Sequence, residues 1–148
     1  MSDYFEIDFL AVGKSSKSGD AIPIRYSIEG DTRIHIVDGG FQETGSSVID
    51  HLSSFYDDPP LIDAVIVTHP DGDHAGGLRA VLEQKSVSEL WMLRPWLYAD
   101  ELIERFARFT NVENLKRRLR EIYPNIAALE DIALECEWRG ENVVIWAV

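Results

Sequence analysis

Alternation of apolar and polar residues opens the chain. Phe5, Ile7 and Phe9 alternate with polar neighbours, and Ile22, Ile24, Tyr26 and Ile28 repeat the pattern, predicting two strands with one buried face each. Residues 13–20 between them have turn composition and no apolar member, which predicts a loop. Gly30 and Asp31 predict a hairpin into a third strand over 33–37, and the Asp38-Gly39-Gly40 step that ends it suggests close backbone approach. Helical spacing then takes over at Val48, Ile49, Leu52, Phe55 and Tyr56, with Ser46 or Ser47 as the cap and Asp57-Asp58-Pro59-Pro60 as the stop. Residues 63–68 are nearly all apolar and predict a central strand covered by helices on both faces. Leu78, Val81 and Leu82 begin another helix, and 89–93 read as the next strand, so the pattern is α/β.

Beyond Ala99 the spacing predicts helices. Leu102, Ile103, Phe106 and Phe109 form one stripe, Val112, Leu115, Leu119 and Ile122 a second, and after Pro124 a third runs through Ile126, Leu129, Ile132 and Ala133. A turn over 139–142 leads into an apolar strand at 143–148. With 148 residues, 45% of them hydrophobic, the chain suits one core, so 1–148 is expected to be one domain or part of one. A last strand without a polar tail leads us to expect a chain cut short.

Composition narrows the partners. The formal net charge of −12 argues against a broadly basic surface that would hold nucleic acid non-specifically. The basic clusters Lys116-Arg117-Arg118 with Arg120, and Lys14 with Lys17, are expected to be solvated faces. Cys136, the single cysteine, sits between Glu135 and Glu137 and suits packing better than chemistry. No apolar run is long enough to span a bilayer and no basic flank marks a signal peptide, so a cytoplasmic protein without membrane contact is expected.

The chemistry concentrates at residues 68–78. His69, Asp71, Asp73 and His74 place four possible metal ligands in six positions directly after the apolar run 64–67. A strand feeding a turn projects side chains at the carboxyl end of a sheet, where α/β proteins usually bind ligands. Mixed imidazole and carboxylate donors suit zinc, manganese or iron rather than calcium or magnesium. The spacing allows two neighbouring metals, which can clamp the attacking and leaving oxygens of a displacement and lower the pKa of bound water to about 7. Gly76 and Gly77 let the next helix start close against the turn, either to present amides to an anion or only for packing.

Residues 68–77 resemble the Thr-His-x-His-x-Asp-His, Gly-Gly signature of the metallo-β-lactamase fold superfamily, with Asp71 where the second histidine usually stands. That variant is similar to the hydrolase domain of the DNA-uptake competence protein ComEC and its soluble relatives. Residues 8–13 with 19–22, and 36–40, agree as well, although Ser15-Ser16-Lys17-Ser18 enlarges the intervening loop. The resemblance implies an αβ/βα sandwich, here its N-terminal half: a mixed sheet with flanking helices, the segment 99–137 included. It implies that His69 and Asp71 ligate a first metal and Asp73 and His74 a second, that Asp73 or a metal-bridging hydroxide handles the proton, and that Asp38 buttresses the turn. The two divalent ions would be zinc, with manganese as the alternative, and the substrate a small phosphodiester or a nucleic acid.

The resemblance also marks an absence. Relatives complete the site with later histidines, whereas the four histidines here are at 35, 51, 69 and 74. His35 and His51 are expected to be structural. Two readings follow: part of a longer phosphodiesterase or nuclease, weakly active or inactive as given, or a non-catalytic module that dimerises or binds a partner through the strand edge at 142–148.

Overall fold

Strand order follows chain order in the computed structural model, which describes residues 2–13, 16–138 and 140–148. β1 (Tyr4–Ile7), β2 (Ala21–Ile28), β3 (Asp31–Gly39), β4 (Leu61–Ile66), β5 (Ser86–Met92) and β6 (Val144–Ala147) form one mixed sheet. The first two pairings are antiparallel and the last three parallel. Glu29 and Gly30, at φ 53° and 86°, make the two-residue turn between β2 and β3, since hairpin turns of this length take positive φ at their centre. Lys14 and Ser15 of the expected loop, and Arg139 of the expected turn, lie outside the described residues.

Helices cover one face of the sheet. α1 (Gly45–Phe55), α3 (Leu78–Gln84) and α6 (Pro124–Trp138) make one layer, with α2 (Gly72–Ala75), α4 (Ala99–Leu102) and α5 (Val112–Ile122) around it. Ile36, Val65 and Leu90 are in register on β3, β4 and β5, and all are fully buried with Val48, Leu52, Leu78, Val81, Ile126 and Leu129. The opposite face carries no helix among the described residues. Its row Val37, Ile66, Trp91 and Trp146 ends with Trp91 39% and Trp146 49% exposed. β4 is central as expected, but the expected cover on both faces is corrected. An apolar run reports that both faces are apolar, not what covers them.

Two local expectations also change. Ser46 and Ser47 lie inside α1, which starts at Gly45, and the Oγ1 of Thr44 before it donates to the Phe41 carbonyl. The stripe from Leu102 to Phe109 does not continue as one helix: α4 makes one turn, a 3-10 turn follows at Ile103–Arg105, and Phe106 is non-helical. Asn111 competes there, because its side chain accepts from the Glu113 and Asn114 amides and so caps α5 from an extended backbone.

The basic residues of α5 are engaged by neighbours. Lys116 pairs with Glu113, Arg118 with Glu121, and Arg120 with Asp131 and the buried Glu130 while lying over Trp96. Arg94 also pairs with Glu130, tying the segment after β5 to α6. Cys136 is buried, its Sγ 3.7 Å from the Leu82 carbonyl oxygen. Among the described residues no helix is long and apolar enough to cross a membrane.

At the end of α1, Tyr56 donates to Asp8 Oδ2 at 2.8 Å, and His51 Nε2 lies 3.0 Å from the same oxygen. Burial, and then the Asp8 hydrogen bond, holds the Tyr56 phenol above its ordinary value of 10.0. The unfolded chain therefore ionises first, so stability present below about pH 10 is lost as pH rises beyond it. Urea midpoints between about pH 8 and pH 11 should fall in the wild type, and the fall should be shallower in Tyr56→Phe.

Candidate metal centre

Parallel pairing of β3 and β4, with Val37 beside Ile66, sets their carboxyl ends side by side. Asp38 at the end of β3 therefore meets the turn that follows β4. Its backbone is left-handed at φ 58°, a conformation aspartate tolerates better than most residues, and it is 2% exposed. A carboxylate so buried must be well hydrogen-bonded. Asp38 accepts from the Thr68 amide at 2.8 Å, from Thr68 Oγ1 at 2.5 Å and from His74 Nδ1 at 2.9 Å, so it holds both ends of the 68–74 turn.

These contacts orient both imidazoles. Thr68 spends its hydroxyl proton on Asp38, so its oxygen accepts from His69 Nδ1 at 3.1 Å. His74 likewise donates from Nδ1 to Asp38. Each ring is left with Nε2 as its lone-pair nitrogen, the arrangement that metal-binding histidines use. His69 Nε2 lies 3.8 Å from Asp71 Oδ2, His74 Nε2 lies 3.7 Å from Asp73 Oδ2, and the ring centroids are 3.6 Å apart. Two donors on one tetrahedral zinc, with bonds of about 2.1 Å, stand roughly 3.4 Å apart. The residues present fit a divalent cation in donor type and spacing.

Two overlapping groups could hold an ion: Asp38, His69 and His74, and His69, Asp71 and Asp73, with donor atoms within 4.8 Å in each. His69 belongs to both. Asp71 is largely exposed and Asp73 half-buried, so the cluster is open on that side. Asp20 joins the cluster without having stood out in the sequence. Its Oδ2 is 3.7 Å from His74 Nδ1, its amide donates to the Asp73 carbonyl, and its own carbonyl accepts from Gly40. Its one sequence signal is the Gly19-Asp20 step after the serine-rich loop. His35 packs edge-on to Tyr26 on the open sheet face and His51 contacts Asp8, so the structure does not bring either to the centre.

The glycines after the turn serve packing. Gly77 donates its amide to the Gly40 carbonyl at 2.9 Å, and a Cβ on Gly77 would sit 1.8 Å from the Gly39 oxygen. Only a residue without a side chain lets the turn lie on the loop that carries Asp38.

No curated protein matches the chain. A family model described as the metallo-beta-lactamase superfamily matches residues 26–131, a span that contains Asp38 and the whole 68–77 turn, and the chain belongs to that superfamily.

Proposed function

We propose that this centre is the ligand-bearing part of a phosphodiesterase or nuclease, with His69 and Asp71 holding one divalent ion and Asp73 and His74 a second, zinc in preference to manganese. Members of the superfamily are in general metal-dependent hydrolases. The observation that carries the reading is the buried Asp38 carboxylate, which locks the turn and aims His74 Nε2 toward Asp73. When bound, the ions supply Lewis acidity and water of lowered pKa. Thr68 and Asp38 keep the imidazoles in the tautomer that can accept a cation, and in this reading Asp73 or a metal-bridging hydroxide would handle the proton. The support for a phosphodiester, in a small molecule or a nucleic acid, is the Asp71 variant of the motif, which is similar to that of ComEC.

A second reading, a binding module without catalysis, is favoured by the open sheet face that leaves Trp91 and Trp146 exposed. Elemental analysis after gel filtration, with hydrolysis of bis(p-nitrophenyl) phosphate in parallel, separates the two. Because the four proposed ligands all come from the one 68–74 segment and leave one side open, the 148-residue chain is expected to hold fewer than two ions tightly and to hydrolyse slowly or not at all. His69→Ala, which removes a ligand of the first ion and a member of both candidate groups, should lower the bound metal below the wild-type content. Two stoichiometric zinc or manganese ions would overturn the weak-binding expectation, and no binding of either metal would overturn the metal reading.

A further inference from the structure

A cleft of about 610 Å³ lies between α5 and α6, a volume within the range of small-molecule sites. Its lining comes from the helical side of the molecule, with no residue from the sheet and none from the metal turn. Arg120 forms part of the wall. One face of its guanidinium lies on the Trp96 ring at 4.8 Å, Asp131 pairs with it at 2.6 Å, and the buried Glu130 holds it from below. The side chain is still 31% exposed. A guanidinium fixed in this way presents its second face as a flat platform, and nucleobases stack on such planes. Arg117 stands three residues before Arg120, on the same side of α5, and lines the same cleft. Its Nη2 donates to Asn114 Oδ1 at 3.0 Å, and among the described residues no carboxylate pairs with it. The carboxylates of the cleft are all engaged, Glu113 by Lys116, Glu121 by Arg118 and Asp131 by Arg120. In a chain of net charge −12, this cleft therefore holds one cation in excess.

We propose that this cleft binds a nucleotide, its base stacked on Arg120 and its phosphate on Arg117, and that the nucleotide flanks the phosphodiester at the metal turn. The base supplies a flat body for the Arg120 platform, and the phosphate supplies the negative charge that Arg117 lacks. Inorganic phosphate would leave the platform unused, and a nucleoside would leave Arg117 unmatched. Continuity with the metal turn argues for a flanking nucleotide. Pro124 lines the cleft, and the next residue, Asn125, stands against the turn, since a Cβ on Gly72 would lie 3.3 Å from its Nδ2. This placement beside the scissile bond rests on the phosphodiesterase reading, whereas the binding site itself does not.

Adenosine monophosphate, titrated calorimetrically into the 148-residue chain in excess chelator, tests the site with the metal centre taken out of the measurement. The nucleotide should bind, and adenosine and inorganic phosphate should each bind about tenfold more weakly or less, because each makes only one of the two contacts. Arg117→Ala changes an exposed side chain of α5 and should leave the far-ultraviolet circular dichroism spectrum unchanged. It should weaken the nucleotide about tenfold and adenosine little. Absence of nucleotide binding by the wild type overturns the proposal, as does binding that Arg117→Ala leaves intact. Inorganic phosphate bound as tightly as the nucleotide also overturns it, because the cleft would then be an anion site only. The metal reading is tested separately. A chain that binds zinc but no nucleotide keeps that reading and loses this proposal, and one that binds the nucleotide but neither zinc nor manganese keeps the site and loses the metal reading.

Discussion

Gly77→Ala is expected to destabilise the protein by about 4 kcal/mol, which for a chain of this size lowers the melting temperature by roughly 8–16 °C. The added Cβ would lie 1.8 Å from the Gly39 oxygen and 3.0 Å from the Phe41 oxygen. Both are backbone atoms, so no side chain can rotate away. The Gly40 and Gly77 loops would have to part, breaking the 2.9 Å bond between them and moving Asp38 off the turn it holds. Gly30→Ala is the control. Gly30 has positive φ, but a methyl group there would meet no atom within 4 Å, so it carries only the left-handed cost of about 1–2 kcal/mol. Thermal melts followed by circular dichroism compare the two, and a Gly77→Ala loss no larger than that of Gly30→Ala would contradict the close-approach argument.

Asp38→Ala is expected to cost about 3 kcal/mol, because three hydrogen bonds to a carboxylate disappear while the cost of burying that charge is recovered. The second effect is on metal. Without Asp38, no other described hydrogen bond holds His74 Nδ1, and affinity should fall about 10- to 100-fold. Asp38→Asn separates fold from metal. Asparagine tolerates the left-handed backbone and can still accept from the Thr68 amide, so most of the stability should survive. Its amide group would donate toward His74, driving the ring proton to Nε2, the nitrogen a cation needs. Melting in chelator and zinc titration against a competing dye measure the two effects. Wild-type zinc affinity in Asp38→Asn would show that Asp38 does not orient the histidine.

The elements with strong local signals were legible in the residues. Period-two alternation located β2, the Gly30 turn located the hairpin, and helical spacing after Pro124 located α6. The 68–74 segment was legible as metal chemistry because its four donors are close in sequence. Asp38 could be named only through the family resemblance, and Asp20 entered that resemblance only as part of the 19–22 match, without a role, since each acts through contacts between segments far apart in the chain. The stripe 102–109 misled because a side-chain cap at Asn111 outweighed the periodicity before it.

By itself, then, the chain's residue order determined which segments become strands or helices and which donors sit on one turn, because those depend on neighbours within a few positions. The tertiary structure decided which donors converge and which face of the sheet stays open. Parallel pairing of β3 with β4 brings Asp38 beneath Thr68 and His74, and the helices gather on one side of Val65 while Ile66, Trp91 and Trp146 face away from them. An apolar side chain is drawn to burial without specifying its partner, so the sheet's second face is written in the sequence only as hydrophobicity.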